Sequence, residues 1–272
     1  MGVDPVSVTP TKFGRYAVAE PFRAATLHLW KGEEIKAVDW EPPIPVLDQE
    51  DLLAQGIRTS ELIPGAQDVD ALGSCVCNAG TASLAERFHA ARGRLPTGIS
   101  ATDSVANECF AIELYHATTD LTGDPSQEWP PTDCGSTSLY VCTGLQRRGL
   151  ISSYKSAATT EAVLSLLQTG TVIIGSPFFN AWMEPDVHGF VDGGGFFGDF
   201  QRTIESGVAG GHETCLTAIE SVTPGRNGTV DQAVIRVRNS WNSTWGDQGS
   251  YRLHLTTLRY LGANADFKQF IV

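Results

Sequence analysis

The sequence predicts an α+β fold in which a helical half precedes a β-rich half. Small and apolar residues keep helical spacing through 76–92 and through two further segments before residue 150. After Gly170 the texture changes to short β-branched or alternating runs. Punctuation by 28 Gly and 14 Pro divides the 272 residues into short elements, which excludes a coiled coil. A chain of this length buries roughly three quarters of its unfolded surface, so a full core is expected.

Residues 1–44 are mixed in character, with a short alternating piece at 25–30 and prolines at 42, 43 and 45. They read as an N-terminal extension packed against a domain that runs from 45 to 272. The charged stretch 48–55 and the turn-rich stretch 57–70 lead to Gly73-Ser74-Cys75. From there Ala79, Ala82, Leu84, Ala85, Phe88 and Ala91 give the best helix of the chain, 76–92, stopped by Gly93. A second helix is expected over 101–118 and a third over 137–148, closed by Gly149. Pro125, Pro130 and Pro131 force a loop between them. Strands are expected at 171–175, 214–222, 233–237 and 250–255, with glycine-rich 189–198 a long surface loop. No internal repeat is present.

Charge narrows the partners. Thirty-one acidic against 19 basic side chains, net −12, set a repulsive field toward phosphate backbones and anionic lipid, so no nucleic-acid or membrane partner is expected. No apolar run approaches the ~20 residues of a membrane span, and residues 1–15 lack the apolar core of a secretory signal. A soluble chain, cytoplasmic or carried in a virion, is the expectation. Six cysteines are too few for a disulfide-stapled scaffold and are expected as free thiols. Cys75, Cys77, Cys134 and Cys142 lack the two-residue spacing of zinc-ligand pairs, so neither metal nor cofactor is expected.

Cys75 carries the chemistry. At the start of a long helix its sulfur lies near unpaired N–H groups and the positive end of the macrodipole, which favours thiolate. Cys77, about 200° further round the helix, turns into the core. A nucleophilic thiolate needs a base and a group to orient that base. His212, after Gly210-Gly211 and at the start of a stiff apolar strand, is the candidate base. Asn239, at the end of another strand, is the candidate orienter, because its amide can accept from one imidazole nitrogen without adding charge.

Gly73-Ser74-Cys75, Gly211-His212 and Asn239-Ser240-Trp241, followed by Trp245-Gly246 and Gly249-Ser250-Tyr251, resemble in order and texture the papain family of cysteine peptidases. His212 follows Cys75 by 137 residues, inside the roughly 130–150 of that family, and Asn239 by 164, slightly beyond it. The resemblance implies a helical half bearing the Cys helix packed on a β-barrel-like half. It also implies Trp241 shielding the Asn239–His212 hydrogen bond, and cleavage of a peptide or isopeptide bond in a protein, a peptide or a peptidoglycan stem. The segment 133–149 is similar to prokaryotic and phage-type members.

The departures are specific. Leu72 stands where the family has a half-cystine, Val76 where it has an aromatic residue, and Val69 where it has the oxyanion glutamine. The stretch from Pro45 to Gln49 reads like the segment that ends in that glutamine, displaced by an insertion, which makes Gln49 the first choice and Gln67 the second. A rival reading keeps the fold as a binding or structural part of an assembly, docked through residues 1–44. Residues 178–200 read equally as a cleft lining or as a flap. His28, His89, His116, His188 and His254 show no partner pattern.

Overall fold

The computed structural model describes residues 26–27, 34–195, 197–226, 229–262 and 264–272. Its helical half holds α1 (Thr59–Leu62), α2 (Cys75–Arg92), α3 (Ser104–Thr119) and α4 (Ser138–Arg147). Gly93 ends α2 at φ 66°, a conformation any Cβ would oppose, and its N–H donates to His89 O. Asp103 caps α3 through the Ala106 N–H, which is why that helix starts three residues later than its spacing predicts. Thr137 caps α4 through the Tyr140 N–H. Helix α2 is buried on most of its circumference, and its small residues allow close approach: a Cβ at Gly80 would stand 2.7 Å from Val141.

The β half holds β1 (Thr26–Leu27), β2 (Val38–Asp39), β3 (Ser153–Ala157), β4 (Val172–Phe179), β5 (Val208–Pro224), β6 (Val230–Arg238), β7 (Ser250–His254) and β8 (Asp266–Ile271). With these lie α5 (Thr160–Leu167), α6 (Phe200–Glu205) and α7 (Leu255–Leu261). One sheet runs β1-β3-β8-β4-β5-β6-β7, with β2 added on β5; β1 lies parallel to β3 and the other pairs are antiparallel. The four sequence-predicted strands are β4 to β7. Strand β4 continues past Gly175 through Pro177, because the β8 pairing stops at Gly175 and the missing N–H faces no partner on that edge. Strand β7 stops at His254, since Leu255 opens α7.

Three helices of the β half, and β3 and β8, are not announced by periodicity. Helix α5 is eight residues of mostly apolar side chains, too short for a helical period to separate from a buried strand. Strand alternation sorts the core into two clusters. Val172, Ile174 and Leu216 enter the core of the β half, while Ile173, Cys215 and Phe270 face the helical half and join its core.

Residues 34–44 are built onto the β half. Ile35 is buried, Val38 pairs with Ile219, and Trp40 Nε1–H donates to Leu167 O at 2.6 Å. Of the alternating piece 25–30, Thr26 and Leu27 are described, paired with Ser156 and Ala157. The rest of it, and all of the extension before it, lie outside the described residues. Among the described residues no helix is long and apolar enough to cross a membrane.

Candidate active site

Cys75 is the first residue of α2 and is buried. The loop before it is tied down by a carboxylate: Gly73 N–H donates to Asp133 Oδ2 at 2.8 Å, and Tyr115 O–H donates to Asp133 Oδ1 at 2.6 Å. Tyr115 Oη in turn accepts from Gly135 N–H at 2.9 Å. Asp133 thereby ties the loop before Cys75 to α3 through Tyr115. Burial raises the Asp133 pKa above the usual carboxylate value, against the lowering effect of its three hydrogen bonds.

Along α2, Cys75, Asn78, Ala79 and Ala82 share one face by their i, i+3, i+4, i+7 spacing. Asn78, Ala79 and Ala82 line a cavity of about 10 Å³ together with Glu213, Thr214 and Asn239. The Cys75 face of the helix is therefore turned toward the strand that carries His212.

His212 sits in β5 opposite Ser176. Its Nε2–H donates to Asn239 Oδ1 at 2.8 Å, and Ser240 N–H donates to the same oxygen at 2.8 Å, which fixes the amide orientation. With Nε2 committed to a carbonyl-type acceptor, proton exchange falls to Nδ1. The Trp241 ring stacks on the imidazole at 4.8 Å and 26°, and Phe178 meets its edge at 5.1 Å and 82°. These rings keep water from the His212–Asn239 bond. Asn239 is held by its own backbone, whose N–H donates to Gly249 O at 2.9 Å. Gly249 has φ 79° and a Cβ there would lie 2.6 Å from Val46, so the turn that aims Asn239 requires glycine.

Gln49 is fully buried and knits the two halves together. Its Oε1 accepts from Ser240 Oγ–H at 2.6 Å and its Nε2 donates to Leu72 O at 3.3 Å. Its main chain adds Gln49 N–H to Ser240 O at 3.0 Å and Leu72 N–H to Gln49 O at 3.2 Å. The intervening residues 50–71 leave and return to one place, closed by the N–H groups of Asp51 and Leu52 on Asp70 O. Counting back from Cys75 therefore fails, although Gln49 is adjacent in space to the loop before Cys75. Gln67, the second choice, is exposed on that excursion and is not brought to the site.

Of the remaining thiols, Cys77 and Cys215 are fully buried and burial pushes both far up, so they stay protonated. Cys77 Sγ meets Thr118 Oγ1 at 3.6 Å. Among the described residues no group of three or more His, Cys, Asp or Glu could hold a metal ion.

Two of the histidines that showed no partner pattern in the sequence do have partners in the structure. His254 Nδ1 lies 2.9 Å from Asp192 Oδ1, and His116 Nδ1 lies 2.6 Å from Trp129 O. No sequence pattern links those distant pairs. Residues 178–200 divide between the two readings offered for them: Phe178 packs beside His212, while Asp192 anchors the glycine-rich loop to β7 and α7. Ser240, unmarked by the sequence except as part of a motif, is the link between Gln49 and Asn239.

The sequence matches no protein-family model and no curated protein. Solved structures do match. Xylellain, a cysteine protease from Xylella fastidiosa, aligns over 100% of this chain and 99% of its own at 14% identity and TM-score 0.65. A procathepsin B from Trypanosoma congolense aligns over 94% and 85% at 11% identity and TM-score 0.56. Procathepsin L 3 of Tenebrio molitor larval midgut aligns over 92% and 74% at 15% identity and TM-score 0.53. The fold is that of papain-like cysteine proteases.

Proposed function

We propose that this chain is a papain-like thiol hydrolase that cleaves peptide or isopeptide bonds with Cys75, His212 and Asn239. The observation that carries the reading is the 2.8 Å His212–Asn239 hydrogen bond beneath Trp241, joined through Ser240 and Gln49 to the loop that delivers Cys75.

In this reading the Cys75 thiol passes its proton to His212 Nδ1 and the sulfur attacks the substrate carbonyl carbon. The carbonyl π pair moves to oxygen, where the Cys75 N–H and the Gln49 side-chain amide donate to it. Collapse of the tetrahedral adduct breaks the C–N bond, and imidazolium gives its proton to the leaving amine. A water then loses a proton to His212 and attacks the Cys75 thioester carbon; the C–S bond breaks, the acyl group leaves as a carboxylic acid, and the imidazolium returns its proton to the sulfur. Asn239 holds the ring in the tautomer that both half-reactions need.

The burial of Cys75, His212 and Gln49, none more than 1% exposed, favours a second reading in which the fold serves as a closed, non-catalytic component of an assembly. Cys75→Ala separates the two. The hydrolase reading expects the parent to turn over a peptidyl-aminocoumarin mixture and to be carboxamidomethylated at residue 75 by iodoacetamide. The variant should fold unchanged and do neither. Activity that survives Cys75→Ala would reject the mechanism, and a parent that neither turns over nor labels would favour the assembly component.

A further inference from the structure

Beneath the proposed site lies a polar network that the reaction as written does not use. Ser74 Oγ–H donates to Asn78 Oδ1 at 2.7 Å, and Asn78 Nδ2 donates to Glu108 Oε1 and Oε2 at 2.8 and 2.7 Å. Ser74, Asn78 and Glu108 are each completely buried. Glu108 is contributed by α3, a helix that carries none of the proposed catalytic side chains. The backbone N–H of Asp48 also supports its charged form.

The network has two ends, and both are informative. Ser74 is covalently joined to Cys75, whose N–H is one proposed oxyanion donor. Asp48 is covalently joined to Gln49, whose side-chain amide is the other. A single carboxylate therefore reaches the neighbours of both donors, which belong to segments 23 positions apart at Gln49 and Leu72. Burying such a carboxylate costs several kcal/mol unless its acceptor sites are filled. An apolar pair at 78 and 108 would remove the buried charge but also the Ser74 hydroxyl's bond to Asn78 and the Asp48 N–H's bond to Glu108, terms of similar size and opposite sign, so stability alone does not require the polar pair.

Resting on the hydrolase reading above, we propose that Glu108 is a positioning residue for the oxyanion hole, setting through Asn78 and Ser74 on one side and the Asp48 backbone on the other the separation of its two donors. Chemistry at the sulfur itself does not pass through this network. Attack on a carbonyl develops an oxyanion, whereas displacement of iodide from iodoacetamide does not, and the two reactions separate donor placement from thiol reactivity.

The test compares the parent, Glu108→Gln and the apolar double variant Asn78→Leu/Glu108→Leu. The double variant keeps the core filled, so a folded protein is available even if the single change leaves Asn78 unpaired. Each is assayed for kcat and KM on the peptidyl-aminocoumarin mixture, for the second-order rate of Cys75 labelling by iodoacetamide, and for melting. The expected result is a kcat roughly ten- to hundred-fold lower in the double variant and partly restored in Glu108→Gln. KM and the labelling rate should stay within about threefold of the parent. A kcat within threefold in the folded double variant would overturn the proposal, as would a labelling rate that falls in step with kcat. A parent that is neither active nor labelled would instead overturn the hydrolase reading on which it rests.

Discussion

Replacing Gln49 by alanine removes the side-chain amide that the structure holds against the loop before Cys75. Two consequences can be worked out separately. Ser240 Oγ–H loses an acceptor at 2.6 Å and Leu72 O loses a donor at 3.3 Å, both in buried surroundings. An orphaned buried hydroxyl costs ~1–3 kcal/mol, a drop of a few degrees in Tm for a chain of this size. The main-chain bonds Gln49 N–H to Ser240 O and Leu72 N–H to Gln49 O do not depend on the side chain, so the loop keeps its path. The rate effect is larger: loss of one oxyanion donor lowers kcat by ~10²–10³, or ~2.7–4 kcal/mol of transition-state stabilisation. Peptidyl-aminocoumarin hydrolysis by Gln49→Ala, run beside iodoacetamide labelling and a melt, reads both. Hydrolysis should fall by two to three orders while labelling holds, and Gln67→Ala should change neither. Hydrolysis within about threefold of the parent would refute the assignment of Gln49, and so would a loss shared equally by labelling.

Arg238→Met addresses the junction between residues 34–44 and the β half. The buried guanidinium bonds Glu41 Oε1 at 2.7 Å, Pro42 O at 3.2 Å and Ile44 O at 2.7 Å. Pro42 O keeps the Ile44 N–H and Glu41 is half exposed, so the change strands the Ile44 carbonyl and should cost ~1–3 kcal/mol in urea unfolding; a loss under ~0.5 kcal/mol would mean that the staple contributes little. Glu108 supplies a pH dependence. Burial raises its pKa from 4.5 to about 7, so between those values the unfolded chain is ionised while the native carboxyl holds its proton. Stability attributable to Glu108 therefore falls as pH rises from about 4.5 to 7, by ~3 kcal/mol, and does not change outside that window. The difference in unfolding free energy between parent and Glu108→Gln, measured across pH 4 to 8, should show that slope; a flat difference would contradict it.

Much of the architecture was legible because its signals are local. The α2 run of alanines ending at Gly93, the proline-broken loop before α4, and alternation in β5 to β7 each satisfy a rule within a dozen residues. Cys75 and Asn239 could be nominated because each sits at an element boundary with distinctive neighbours, and His212 because of the Gly210-Gly211 before it, although β5 begins at Val208, so His212 lies inside that strand and not at its start. What could not be read depends on contacts distant in sequence. Helix α5 is too short to show its period, and β8 pairs with β3 across more than a hundred residues and with β4 across more than ninety. The His254–Asp192 pair and the Ser74–Asn78–Glu108 network join side chains whose spacing carries no pattern. Gln49 was reachable only by setting aside the distance to Cys75, and the closed excursion of residues 50–71 explains why that distance is misleading.

Whether sulfur and imidazole act as a pair is decided most directly by the rate of iodoacetamide labelling at Cys75 as a function of pH. A thiolate stabilised by His212 and by the start of α2 should label with a midpoint far below the ~8.5 of an ordinary thiol, and His212→Asn should move that midpoint back up. A midpoint at 8.5 or above in the parent, unchanged by His212→Asn, would contradict the pairing and the hydrolase built on it.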